Sequence, residues 1–107
     1  MTVRAQEERI IEVQGHSINV YTSGWEHLKD GVPTVIFDGG STVPIKGWGK
    51  VITEVAKKAP VVAFDPPGIG KSEWDGQRPT LEIMNQRLYD VLEAIEAKPP
   101  YILVGHS

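Results

Sequence analysis

The sequence contains no cysteine. Disulfides, thiolate-held zinc, iron–sulfur clusters and thiol nucleophiles are therefore excluded. Long apolar runs are also missing. The longest uninterrupted ones, Val61–Phe64 and Tyr101–Val104, fall far short of the roughly 20 residues that a membrane-crossing helix needs. The opening stretch Met1–Arg9 is polar and lacks the apolar centre of a secretory signal. Nor does charge of one sign accumulate. Charged residues make up 23% of the chain and the net charge is −3. That balance argues against nucleic-acid binding by bulk electrostatics and against an acidic solvating tail. The expectation is a cytoplasmic chain with no nucleic-acid and no membrane partner.

What is present fits one small globular unit. The chain has 107 residues, 40% of them hydrophobic, with 11 glycines and 8 prolines marking many turns. Ile10–Val13 and Ile18–Thr22 read as short strands around a Gln14-Gly15 turn. In the second strand Ile18, Val20 and Thr22 share one face and Ser17, Asn19 and Tyr21 the other. This predicts a hairpin at a sheet edge with one buried and one wet face. Three later runs, Val35–Phe37, Val61–Phe64 and Tyr101–Val104, are continuously apolar and suit strands covered on both faces. Between them, Trp48, Val51, Ile52, Val55 and Ala56 recur at helical spacing up to Ala59-Pro60. Leu81, Met84, Leu88, Val91, Leu92 and Ile95 do the same, with Thr80 as N-cap and Pro99-Pro100 as the stop. The predicted architecture is α/β: a β-hairpin followed by a parallel βαβαβ core with right-handed crossovers, and no internal repeat or linker.

In such sheets ligands bind beyond the carboxyl ends of the parallel strands, so the loops after the three apolar runs carry the functional information. The first, Asp38-Gly39-Gly40-Ser41-Thr42, sets two glycines at a strand end, where bare amides can approach an anion. Equally, it can be an ordinary turn in which glycine supplies positive φ. The second, Asp65-Pro66-Pro67-Gly68-Ile69-Gly70-Lys71-Ser72, ends like a phosphate-binding Walker A loop. Asp65 stands where that loop needs glycine, and its carboxylate would repel a triphosphate. Gly76 and Pro79 follow, where a helix should begin. The third, Gly105-His106-Ser107, is the first half of a G-x-S-x-G elbow, the tight turn that lifts a serine hydroxyl above a sheet.

Together these loops resemble the α/β-hydrolase family. Asp65-x-x-Gly68-x-Gly70-x-Ser72 is similar to the D-x-x-G-x-G-x-S signature after that family's fourth strand. Pro100 to Ser107 resembles its fifth strand running into the nucleophile elbow. Asp38-Gly39-Gly40 sits where the family has His-Gly-x, with an acidic residue in place of histidine. The resemblance spans roughly residues 8–107. It implies that the chain is the N-terminal part of one hydrolase domain, with strands 1 to 5 and helices A and B.

The resemblance also implies roles. Ser107 would be the nucleophile, attacking esters or related acyl bonds through an acyl-enzyme. The Gly40 amide would be one oxyanion-hole donor, with Gly39, Gly105 and His106 in support. His106 would position the elbow and would not be the base. Asp65 and Gly68 would shape the second loop. No cofactor or metal is implied. The family's acid and base follow the serine along the chain, so the expected partners are a small acyl substrate and the C-terminal half of the fold. The 107 residues alone are expected to be inactive. His16 and His27 are read as surface histidines. Two other readings compete: a non-catalytic α/β binding module, and a Walker-A-like nucleotide binder.

Overall fold

A computed structural model describes residues 6–106; residues 1–5 and Ser107 lie outside the described residues. The elements are β1 (Gln6–Val13), β2 (His16–Ser23), β3 (Thr34–Asp38), α1 (Val51–Ala56), β4 (Val61–Phe64), α2 (Leu81–Ala94) and β5 (Tyr101–Gly105). Short 3-10 turns cover Trp25–His27 and Ile45–Trp48. The strands form one sheet in the order β1-β2-β4-β3-β5. β1 pairs antiparallel with β2 and β2 antiparallel with β4, whereas β3 runs parallel to both β4 and β5. The hairpin plus parallel core expected from the sequence is therefore present. Its turn holds Gln14 at φ 50° and Gly15 at φ 80°, the paired positive angles that match the twist of two antiparallel strands.

The continuous apolar runs of β3 and β4 are buried on both faces. Ile36, Val62 and Phe64 face α2 and the hairpin, packing with Val20, Val91, Leu92 and Ile95. Val35, Phe37, Val61 and Ala63 face the other way, against Ile52 and Ala56 of α1. One helix thus covers each side of the strands whose ends carry the loops.

Several expectations are corrected. β1 begins at Gln6, earlier than its apolar residues suggest, because Gln6 to Arg9 pair with Ser23 to Val20 of β2. Asn19, expected on the wet face of β2, is buried; its amide is drawn into a polar cluster described below. The helix expected over Trp48–Ala56 is broken into the 3-10 turn and α1 by Gly49, whose φ of 59° with ψ of −130° is not helical. α2 starts as expected, with the Ile83 amide donating to the Thr80 hydroxyl over 3.3 Å. It ends well before the proline pair. Glu96 takes φ 60°, its amide bonds Glu93 O at 3.1 Å and the Ala97 amide bonds Leu92 O at 3.0 Å, a Schellman stop made with glutamate instead of glycine. Leu81, placed on the apolar stripe of α2, is exposed. β5, expected to be covered on both faces, leaves Ile102 and Leu103 exposed, since it closes the described sheet with β3 as its neighbour.

Candidate active site

Parallel pairing fixes where the first and third loops lie. Asp38 is registered with Gly105, and the His106 amide donates to the Asp38 carbonyl at 3.1 Å. The chain leaving β5 is thereby laid beside the chain leaving β3. Gly39 then turns sharply: the Val43 amide donates to its carbonyl at 3.1 Å, and a Cβ on Gly39 would overlap the Val43 carbonyl. Gly40 follows with φ +65°, and a Cβ there would come 3.0 Å from the His106 carbonyl oxygen. So the glycine expected to supply an anion-binding amide lies against the residue that precedes Ser107. Ser107 itself, the expected nucleophile, is outside the described residues.

His106 is exposed and makes one aromatic contact. Its ring meets Trp48 edge-on, with centroids 6.0 Å apart, and Trp48 in turn meets Phe37 of β3 at 5.1 Å. That arrangement ties the third loop to the 3-10 turn after the first. Gly105 is different: its neighbourhood is open among the described residues, so no close contact there requires glycine.

The Gly40 amide is already engaged. It donates to Asp38 Oδ1 at 2.9 Å, so the carboxylate standing where the resembling family has histidine caps the expected donor. This is an Asx turn, in which a strand-end aspartate bonds the amide two residues on.

The second loop is organised around Asp65, which is buried. Its Oδ1 accepts the Ile45 amide at 2.8 Å. Its Oδ2 accepts Asn19 Nδ2 and the Lys71 amide, each at 3.0 Å. The Ser72 hydroxyl donates to the Asp65 carbonyl and accepts the Asn19 amide at 2.9 Å. Asn19 Nδ2 also donates to Glu8 at 2.8 Å, and Lys71 Nζ reaches the same carboxylate at 3.6 Å. A buried carboxylate is tolerated here because three N–H groups satisfy it. Gly70, at φ +56°, packs so tightly on this carboxylate that a Cβ would overlap it. The Walker-like reading is overturned by the same geometry. Residues 71–80 contain no helix, and the Ser72 hydroxyl is buried in internal bonds.

Further along, Asp75 and Arg87 form a two-pronged pair at 2.9 and 2.7 Å. Burial works to raise the Asp75 carboxyl, but the bonds from Arg87 and the Gln77 amide, with the Arg87 and His16 charges, outweigh it and hold it below the ordinary value. His16 and His27 lie 3.8 Å from Glu73 and Glu26 respectively. A cavity of about 480 Å³ opens among Gln14, His16, Phe64, Pro67 and Arg87. None of Asp38, Gly40 or His106 lines it, so it is not part of this site.

The structure sets Gly40 beside His106, both named from the sequence, and gathers the second loop around Asp65. Sequence reasoning missed Asn19 and the Ile45 amide as Asp65 partners, and Trp48 as the neighbour of His106. Strand alternation gives no signal for a buried asparagine, and a backbone amide has no sequence signature.

No family model matches the chain. It is 28% identical over 74 residues to the uncharacterized protein YqjL of Bacillus subtilis (strain 168), an alignment covering 69% of this chain and 29% of that protein. Among solved structures, the membrane phospholipase A described as a bacterial virulence factor superposes with a TM-score of 0.78 at 21% identity, over 96% of this chain and 32% of that one. The thioesterase domain from the curacin biosynthetic pathway gives 0.73 at 26% identity, over 97% and 36%. The Cif epoxide hydrolase of Acinetobacter nosocomialis gives 0.69 at 26%, over 100% and 32%. The chain spans about a third of the length of these structures. Their common architecture is the α/β-hydrolase fold, and the five-stranded sheet described here is part of it. No helix among the described residues is long and apolar enough to cross a membrane.

Proposed function

We propose that this chain, which has the α/β-hydrolase fold, carries the nucleophile and the first oxyanion donor of an enzyme that cleaves ester or related acyl bonds. Ser107 is the nucleophile in this reading, and Gly40 N–H is the donor. The observation that carries it is the close approach of Gly40 to the His106 carbonyl. Ser107 follows His106 directly in the sequence, and attack on a carbonyl with stabilisation of the resulting oxyanion requires a hydroxyl and an N–H close together. In the reaction the hydroxyl oxygen bonds the acyl carbon while a base takes its proton. The alcohol or thiol then leaves with a proton, and water releases the acyl group.

The base and its orienting acid would come from chain beyond these residues, and the amide after Ser107 would be the second donor. At rest the Gly40 amide is held by Asp38, and the oxyanion would take over that hydrogen. The 107 residues alone would therefore show no Ser107-dependent turnover. The chain would be cytoplasmic, working on a small acyl substrate without cofactor.

The test is hydrolysis of p-nitrophenyl acetate and butyrate by the complete gene product and its Ser107→Ala variant. The expected result is turnover lost in the variant. Equal turnover by the two overturns the reading.

A further inference from the structure

The structure assigns Asp65 a second task besides shaping its own loop: we infer that it is a positioning residue for the Gly40 donor, acting through the Ile45 amide. This deepens the reading of Ser107 and Gly40 given above and rests on it.

The two oxygens of Asp65 do different work. Oδ2 takes Asn19 Nδ2 and the Lys71 amide, joining β2 to the loop after β4. Oδ1 takes the amide of Ile45 at 2.8 Å, which belongs to neither. Ile45 opens the 3-10 turn that closes the loop after β3. That loop is pinned at its start by the β3–β5 ladder. Its other end is held across the sheet by Asp65. Gly40 lies between these anchors. The bond is charge-assisted and partly buried, so it is worth more than a surface hydrogen bond and fixes geometry well. Donor placement matters at this scale, because loss of one oxyanion donor costs roughly 10²–10³ in rate.

The bond can be cut from either side. In Asp65→Asn, the amide oxygen keeps two acceptor bonds if it faces Asn19 and Lys71. The new NH₂ then faces the Ile45 N–H, and that link alone is lost. Ile45→Pro deletes the donor instead. Proline suits the first position of a helical turn, and the preceding Pro44, at φ −77° and ψ 171°, already has the extended backbone that a following proline demands. Ile45→Ala keeps the N–H while removing the side chain, and so controls for lost packing.

The experiment uses the complete gene product with a p-nitrophenyl ester, and reads kcat, KM and amide hydrogen exchange across residues 39–44. Asp65→Asn and Ile45→Pro should each lower kcat about 10- to 100-fold, scaled from the loss of a whole donor, with KM unchanged. Exchange in the loop should rise in both. The double variant should be no worse than the weaker single, as expected when both cut one link. Ile45→Ala should keep kcat within about threefold, since additivity errors are of that order. Turnover lost with Ser107→Ala but retained by both variants, or losses that multiply in the double variant, overturns the positioning role alone. Unchanged exchange in both variants overturns the tether. Turnover indifferent to Ser107→Ala removes the functional reading beneath it, and the positioning role with it.

Discussion

Gly70 is packed against the carboxylate of Asp65, five residues before it, so closely that no side chain fits between them. Its φ of +56° adds a second demand for glycine. Gly15, at φ +80°, shares the angle but has open space around it. Gly15→Ala should therefore cost only the left-handed strain, about 1 kcal/mol. Gly70→Ala must also displace a carboxylate holding three N–H groups, each charged bond worth about 1.5–3 kcal/mol. Its expected cost is about 3 kcal/mol or more. Urea denaturation of the two variants checks the difference; equal costs would mean that the carboxylate moves aside freely.

The Asp75–Arg87 pair is part-buried: the two side chains are 10% and 12% exposed, and Trp74, Gly76 and Gln77 beside them lie open to solvent. Arg87→Met leaves Asp75 without its charged partner, and the expected loss is about 1–3 kcal/mol near neutral pH. The sign with pH follows from the lowered carboxyl. Stability from this group is present above its ordinary value of about 3.9 and is lost as pH falls through the lower folded value. In the variant, burial, which favours the protonated form, is opposed only by the Gln77 amide and the His16 charge. The gap between wild type and Arg87→Met should be widest at pH 6–7 and narrow below about pH 4. A gap constant down to pH 3 would contradict the assigned cause.

Much of this was legible in the residues, for physical reasons that can be named. Val35–Phe37 and Val61–Phe64 had to be interior strands because no polar position interrupts them, and both are buried. Thr80 was legible as a cap because its hydroxyl can replace a missing backbone partner. Asn19 was not, because its burial is decided by Asp65 and Glu8, which lie far from it in the chain. Glu96 was not, because glutamate rarely takes a left-handed angle; the bonds to Leu92 and Glu93 compel it. At the site, Gly40 was singled out through the resemblance of its loop to the hydrolase family's, since two glycines alone suit an ordinary turn equally well. The Asp38 cap on its amide depends on a side-chain rotamer that pattern alone cannot fix.

That cap makes a kinetic prediction. A carboxylate and a developing oxyanion compete for one N–H, and they repel each other at short range. Asp38→Ala removes both effects, whereas Asp38→Asn removes the charge but keeps an acceptor. With Ser107-dependent ester hydrolysis as readout, kcat should rise about tenfold in Asp38→Ala, a fraction of a full donor's worth, and less in Asp38→Asn. A fall in Asp38→Ala would mean that the cap shapes the donor loop instead of obstructing it.

The outer strand carries the last prediction. β5 bonds β3 along one side, and Ile102 and Leu103 are 49% and 60% exposed. Backbone groups along the other side of such a strand, flanked by exposed apolar side chains, are a template for another chain. The 107-residue polypeptide produced alone should therefore associate as its concentration rises. A single lysine on that strand opposes this by placing a charge where a second copy would have to bury it. Leu103→Lys should shift the polypeptide toward monomer in sedimentation equilibrium, with little change in circular dichroism because Leu103 is already mostly in water. Association that is unaffected by Leu103→Lys would place the sticky surface elsewhere, with exposed Leu81 and Tyr89 of α2 the next residues to substitute.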